Sequence, residues 1–214
     1  MTHQVLIADD HPLFRAALID SLREMEVEFH ISESSTFLET QTHLSKYPTD
    51  LLLLDLCMPG NESLLGILRL RSDHPDLAIV VISANDDHEI IKDIFNMGAL
   101  GYISKSSKRQ YIHQALLAVL SGELSFPEYH SNGQDNHLLK KLNQLTPKQL
   151  RVLQMIGEGA LNKQIAYKLE IKETTVKTHI SEILRKLEIS NRTQAALILQ
   201  KLTIKRDEIS ALNQ

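Results

Sequence analysis

Asp9, Asp10, Asp55, Ser83 and Lys105 each stand at or just past the end of a short apolar run, and their types suit phosphoryl chemistry. Val5-Leu6-Ile7-Ala8 leads into Asp9-Asp10, Leu51-Leu52-Leu53-Leu54 into Asp55, Ala78-Ile79-Val80-Val81-Ile82 into Ser83, and Gly101-Tyr102-Ile103 into Ser104-Lys105. If these runs are strands of one sheet, three carboxylates, a hydroxyl and an ammonium meet at a single edge. Carboxylates packed together repel unless a hard cation neutralises them, and Mg²⁺, which accepts few protein oxygens and keeps several waters, suits that role. One carboxylate can then accept a phosphoryl group as an aspartyl phosphate. Lys105 and the metal would balance charge on the transferring group, and Ser83 would hydrogen-bond one of its oxygens. Each residue alone has a plainer reading: Asp10 before Pro12 can cap a helix, and Asp55 before Met58-Pro59-Gly60 can open a turn. Together they indicate chemistry, since four separate runs deliver the required groups at the same end.

The elements that must position these residues follow from periodicity. A fifth strand is expected at Phe29-His30-Ile31-Ser32, and helices at Pro12–Met25, Thr36–Tyr47, Ser63–Asp73, Asp87–Met97 and Lys108–Ser121. Pro12 suits a first helical turn, and Gly98 and Gly122 stand where C-caps belong. Strands alternating with helices of this length imply a parallel sheet covered on both faces, because parallel strands need crossovers. The near-continuous apolar strands agree, being buried on both sides. The expected fold is therefore an α/β doubly wound five-stranded parallel sheet, whose ligands gather beyond the carboxyl ends of the strands.

From residue 125 to 136 the pattern dissolves into Ser, Pro, His, Asn, Gly, Gln and Asp, a linker composition. Beyond it the apolar spacing is helical throughout, with helices expected at Pro147–Glu158, Asn162–Leu169, Glu173–Leu187 and Arg192–Leu202. The boundaries expected are a front domain at 1–124, a linker at 125–141, an all-α four-helix domain at 142–205 and a polar tail at 206–214.

Charge divides the same way. The first 123 residues carry nine Lys and Arg against eighteen Asp and Glu, whereas Lys140–Arg206 carries fourteen against five. A basic rear half behind an acidic front half fits a nucleic-acid module, although two differently charged solvated surfaces would look alike. A single cysteine, Cys57, among 214 residues excludes an internal disulfide and fits a reducing compartment. No apolar stretch approaches the ~20 residues of a membrane span. Nor does Met1-Thr2-His3-Gln4-Val5 look like a signal peptide, so a cytoplasmic protein without a membrane partner is expected. The ten histidines include no HExxH spacing, and no Gly-rich nucleotide loop or Ser-His-Asp pattern appears, which leaves a conventional hydrolase unsupported.

In the rear half, Asn162–Leu169 turns Ile165, Ala166 and Leu169 to one side, and Glu170-Ile171-Lys172 makes a short turn. Glu173–Leu187 then aligns Val176, Ile180, Ile183, Leu184 and Leu187 along one stripe, with Thr174, Thr175, Lys177, Thr178, Ser181, Arg185 and Lys186 opposite. Two helices joined by a three-residue turn, the second polar and basic outside, match a helix-turn-helix whose recognition helix enters the major groove. An amphipathic hairpin that docks protein has the same periodicity.

Two sets of motifs go further. Asp9-Asp10-His11-Pro12-Leu13-Phe14-Arg15, Leu54-Asp55-Leu56-Cys57-Met58-Pro59-Gly60, Ser83-Ala84 and Gly101-Tyr102-Ile103-Ser104-Lys105 resemble the flavodoxin-like receiver domain of NarL/FixJ two-component response regulators, over about residues 3–122. That resemblance implies Asp55 as phosphoacceptor for a sensor histidine kinase. It implies Mg²⁺ held by Asp10, Asp55 and the backbone carbonyl of Cys57, with Asp9 acting directly or through water, and Ser83 with Tyr102 as the switch pair. Leu145-Thr146-Pro147-Lys148-Gln149, Gly157–Ala166, Thr175–His179 and Arg185-Lys186-Leu187 with Asn191-Arg192-Thr193 resemble the LuxR-type DNA-binding domain, over about residues 142–203. It implies Lys177, Thr178 and Ser181 as base-facing, with Lys163, Thr175, His179 and Arg192 nearer the DNA backbone or structural; Arg185 and Lys186 flank them as phosphate contacts. Dimerisation through the last helix, at Ala195, Ala196 and Leu199, is implied as well. The expected partners are a histidine kinase, double-stranded promoter DNA, RNA polymerase and a second copy of the chain.

Two departures from the receiver pattern stand out. Asn61-Glu62-Ser63 stands where the family usually has a glycine a few residues after Met-Pro-Gly, often in an Asp-Gly pair, and Cys57 stands where Asn is common. Two competing readings keep the same residues: a phosphorylation-independent interaction module that presents the DNA-binding half, and a Mg²⁺-dependent phosphohydrolase. The second needs a capping insertion for which the short connections leave no room.

Overall fold

A computed structural model describes residues 2–61, 64–127 and 137–199. Strands β1 (His3–Ala8), β2 (Phe29–Ser34), β3 (Leu51–Asp55), β4 (Ala78–Ser83) and β5 (Gly101–Ser104) alternate with α1 (Pro12–Arg23), α2 (Phe37–Lys46), α3 (Leu64–Asp73), α4 (His88–Asn96) and α5 (Arg109–Leu120). The sheet is wholly parallel in the order β2-β1-β3-β4-β5. Chain order reverses at β1, so β1 and β3 are adjacent and a crevice opens between their carboxyl ends, as doubly wound sheets require.

Period-two alternation along each strand fills both faces. Leu6, Ala8, Leu52, Leu54, Ile79, Val81 and Tyr102 face a core shared with Phe37, Leu64, Ile67, Leu68, Ile90 and Ile94. Val5, Ile7, Leu51, Leu53, Val80, Ile82 and Ile103 face Leu18 and Leu22 of α1 and Ile112, Ala115, Leu116 and Val119 of α5. This explains the unbroken Leu51–Leu54 run: every residue of β3 is buried, whichever face it points to. The expected caps are in place, since Gly98 and Gly122 take φ of 86° and 83°, a left-handed backbone that a Cβ disfavours.

The rear half contains α6 (His137–Leu142), α7 (Pro147–Gly157), α8 (Asn162–Lys168) and α9 (Glu173–Leu187), and residues 192–199 are helical too. Thr146 opens α7 with a reciprocal capping box with Gln149, as its Thr-Pro-Lys-Gln sequence favours. Between α8 and α9, Ile171 N–H donates to Ala166 O at 3.0 Å and Glu170 N–H to Tyr167 O at 3.3 Å, with Glu170 at φ 52°. That Schellman closure makes the tight turn of the helix-turn-helix with a glutamate in place of glycine.

Two differences from the expectation appear before α7. Residues 137–141, inside the expected linker boundary although the apolar spacing beyond 136 already reads as helical, join Leu142 in α6, which packs on α9 and carries the fully buried Leu142. Ser125 is bonded into the sheet margin, its N–H to Leu100 O at 2.9 Å and its carbonyl accepting from Tyr102 N–H at 2.8 Å. Phe126 meets Phe95 edge-on at 5.3 Å. Polar composition hides these ties because one backbone pairing and one aromatic suffice to make them. The rest of the expected linker at 128–136, the two loop residues Glu62 and Ser63, the end of the expected last helix and the tail lie outside the described residues.

Candidate phosphoacceptor pocket and DNA-facing helix

The strand ends converge as their order requires. Asp9 follows β1, Asp55 ends β3, and Lys105 follows β5; Asp9 and Asp55 are 1% exposed. Lys105 reaches across the edge, its Nζ 2.8 Å from Asp55 Oδ2 and 2.9 Å from Asp9 Oδ2, and lies 5.1 Å above the Phe14 ring. One ligand atom from each of Asp9, Asp10, His11 and Asp55 falls within 4.8 Å of the others. Asp10 Oδ1 is buried without a hydrogen bond, although His11 Nδ1 lies 2.9 Å away.

Burial pushes the Asp55 carboxyl above its ordinary pKa, and the Lys105 ammonium opposes that shift. Burial also disfavours the charged Lys105, but the Asp55 and Asp9 carboxylates outweigh it and hold its pKa up. Three carboxylates against one lysine leave excess negative charge at the edge. The donors are mainly oxygen, three carboxylates of which two are buried, so the residues fit a hard divalent cation such as Mg²⁺ better than a nitrogen- or sulfur-seeking metal.

Around this centre, Cys57 N–H donates to Asp55 Oδ1 at 3.1 Å, which fixes the carboxylate against the loop that follows β3. Ser83 ends β4, is fully buried, and its Oγ accepts from Asn85 N–H at 3.2 Å. Tyr102 is also fully buried; its hydroxyl donates to Asn85 O, and burial together with Asp86 raises its pKa. The side chains of Ser83 and Tyr102 thus meet one segment, residues 83–86, directly after the edge.

Two further side chains, not singled out by the sequence motifs, belong to this pocket. His11 sits among the carboxylates, and its place next to Asp9-Asp10 was the available signal. Asn61 reaches back to the carbonyls of Asp55 and Leu56, at 3.1 and 3.2 Å. Only its departure from the Asp-Gly pattern marked it.

On α9, Val176, Ile183 and Leu187 are buried, and Ile180 and Leu184 partly so, which turns the opposite face outward. Thr175, Lys177, Thr178, Ser181 and Arg185 are exposed on it, as is Lys163 on α8. Thr178 and Ser181 spend their hydroxyl protons on carbonyls four residues back, Thr174 and Lys177. His179 is half-buried, its Nδ1 enclosed without a partner.

Lys186 and Arg192 are placed differently. Lys186 Nζ donates to Gln144 O and Gln149 Oε1, each at 2.8 Å, and Arg192 ties Asn162 Oδ1 at 2.9 Å and the Ala160 carbonyl. Both basic groups are engaged within the domain. Of the expected dimer contacts, Ala195 and Leu199 are 0% and 4% exposed in the domain's own core, which takes them from any partner; among the described residues of that helix, Leu197 is the exposed large apolar one.

Receiver and rear half touch through α3 with α7 and α4 with α6, including Asn143 Nδ2 to Asn96 O at 2.6 Å. The outer face of α9 stays open in this arrangement.

Comparison with known proteins agrees with both halves. Residues 5–117 match the response regulator receiver domain, and residues 143–199 match the bacterial regulatory proteins of the luxR family. The chain belongs to the response-regulator family, as a receiver followed by a LuxR-type DNA-binding domain. It is 38% identical over 207 residues to the glycerol metabolism activator of Pseudomonas putida, covering 91% of this chain and 94% of that one. It is 32% identical over 203 residues to the nitrate/nitrite response regulator NarL of Escherichia coli K12, covering 90% and 93%. A solved structure of two RcsB dimers bound to two parallel DNAs is similar with a TM-score of 0.56 at 27% identity, covering 94% of this chain and 98% of that one. Among the described residues no helix is long and apolar enough to cross a membrane.

Proposed function

We propose that Asp55 accepts a phosphoryl group from a histidine kinase and that the modified receiver alters how the chain pairs and binds operator DNA. The observation that carries this is the lysine that bridges Asp55 and Asp9 inside the acidic cluster. The Asp55 carboxylate forms a P–O bond as the P–N bond to the donor imidazole breaks. Lys105 balances the charge gathered on the phosphoryl oxygens, and Cys57 N–H holds Asp55 in orientation. Asp9, Asp10, Asp55 and the Cys57 carbonyl hold Mg²⁺, which when bound supplies the positive charge that lets anionic carboxylate and phosphoryl approach.

Ser83 bonds a phosphoryl oxygen, and the residue 83–86 segment that also receives Tyr102 carries the change towards α4. Phosphorylation acts by favouring one arrangement of the halves over another. Lys177, Thr178 and Ser181 face bases, while Lys163, Thr175, Arg185 and His179 lie near phosphates. The active species is a cytoplasmic homodimer that binds two half-sites and engages RNA polymerase; any catalysis is confined to the receiver's own phosphoryl uptake and loss.

Acetyl phosphate with Mg²⁺ tests the reading. Wild-type protein should gain one phosphoryl group labile to alkali and hydroxylamine and bind DNA more tightly, and Asp55→Asn should do neither. Uptake that survives this substitution would overturn the assignment.

A further inference from the structure

We infer that Asn61 is a positioning residue for the Asp55 pocket, a clasp that holds the backbone between β3 and the Met58-Pro59-Gly60 turn; this rests on the function proposed above. The loop leaves β3 at Asp55 and turns at residues 58–61, where Asn61 N–H donates to Met58 O at 3.1 Å and Gly60 takes φ 80°. Pro59 and Gly60 at the centre of that turn are the residues a type II turn selects. The Asn61 side chain, 1% exposed, then folds back to where the loop began. Its Nδ2 donates to both Asp55 O and Leu56 O, at 3.1 and 3.2 Å.

The amide orientation is set by chemistry, because only the NH₂ end can face two carbonyls. Its Oδ1 is left buried with no hydrogen bond. An unpaired buried acceptor opposes folding, so the amide is poorly explained as a device for stability alone. Gly66 in α3 admits it: a Cβ there would lie 2.0 Å from Asn61 Oδ1 and 3.1 Å from its Cγ. The two residues therefore form a matched pair.

The clasp encloses Cys57, whose N–H orients Asp55 Oδ1. A glycine-rich loop would leave this backbone free to move; here it is bonded at both ends. The residue acts on the phosphoacceptor through the main chain and touches neither phosphoryl group nor metal.

The test uses the full chain as wild type, Asn61→Ala, Gly66→Ala and Asn61→Ala/Gly66→Ala. Asn61→Ala should weaken Mg²⁺ binding, measured by calorimetry without phosphodonor, by about 10- to 100-fold, as loss of a ligand-orienting partner does. It should slow acetyl phosphate uptake and speed hydrogen exchange at the Cys57 amide in metal-free buffer. Gly66→Ala should do the same by displacing the amide.

The double variant fills the vacated space with a methyl group and adds a better helix former. It should regain thermal stability while Mg²⁺ affinity and Cys57 protection stay low. Recovery of all three together, or wild-type Mg²⁺ affinity and exchange in Asn61→Ala, would overturn the clasp. Wild-type protein that bound no Mg²⁺ and took no phosphoryl would instead overturn the functional reading, and the metal-free exchange would still judge the clasp.

Discussion

The two ends of this molecule handle charge in opposite ways. At the receiver edge, Lys105 and the carboxylates of Asp9 and Asp55 are sunk in the fold and locked at 2.8 to 2.9 Å. On α9, Lys177 and Arg185 stand in solvent on an open face. Buried charge is costly to bring together and costly to leave half-paired, so it suits a pocket whose geometry must precede its ligand. Exposed charge is cheap, adaptable and sensitive to salt, which suits a surface that reads a polyanion. Lys186 and Arg192 show that sequence position does not decide which kind a basic residue becomes: both belong to the basic DNA-binding half, and both are tied to carbonyls and amides of their own domain.

The sharpest way to break that contrast is to remove the buried cation. Lys105→Met should destabilise the metal-free receiver by about 3 kcal/mol, because it strands two buried carboxylates. Urea unfolding with EDTA measures this, and added Mg²⁺ should restore part of it. The sign with pH also follows. Asp55 already has a folded pKa above its ordinary 3.8 through burial, and Lys105 restrains the rise. Without that restraint the folded state holds its proton to still higher pH, so protonation favours folding and stability is lost as pH rises from 3.8 through the raised folded value. The deficit against wild type should therefore be smallest in acid. An equal deficit at all pH values would show that Asp55 does not titrate in the pocket.

A smaller effect is expected at Lys186. Lys186→Met keeps the apolar stem but removes donors to Gln144 O and Gln149 Oε1, and should cost about 1–2 kcal/mol of thermal stability. Its DNA affinity below the melting range should keep the wild-type dependence on salt. A flattened salt dependence with unchanged stability would return Lys186 to the phosphate contacts.

The same residues show what the sequence made legible. The parallel sheet and the acidic pocket could be read because apolar strands end abruptly in Asp9, Asp55, Ser83 and Lys105, and a parallel sheet has one edge for all of them. The inward stripe of α9 could be read from spacing, since Val176, Ile183 and Leu187 recur on one face of a helix. What spacing cannot supply is the partner of an outward polar group. Lys186, Arg192 and Lys177 look alike in one dimension, and only packing separates them. Asn61 and α6 were less legible because Asn61 is defined by side-chain bonds back to Asp55 O and Leu56 O, and α6 by its packing on α9 and α4, neither of which spacing reveals. Ala195 and Leu199 erred the other way, because an apolar stripe is the same whether it faces a partner or its own domain.

Lys177 offers the finest discrimination. Its ammonium is exposed at the open face of α9, one turn from Ser181 and adjacent to Thr178, and Ser181 Oγ bonds its carbonyl at 3.1 Å. Lys177→Ala breaks no side-chain hydrogen bond or ion pair among the described residues, so the melting temperature should not move. Operator binding should weaken, and two mechanisms predict different patterns. A phosphate contact lowers affinity for all DNA alike and reduces the slope of log affinity against log salt by about one. A base contact leaves that slope nearly intact and lowers affinity for the operator by about 1–3 kcal/mol relative to unrelated DNA. Retardation assays on both DNAs at several salt concentrations separate the two, and the base-facing role proposed for Lys177 requires the second pattern. The first would move Lys177 into the group of Lys163 and Arg185, leaving Thr178 and Ser181, whose hydroxyl protons are already given to the helix, to read the bases by accepting hydrogen bonds from them.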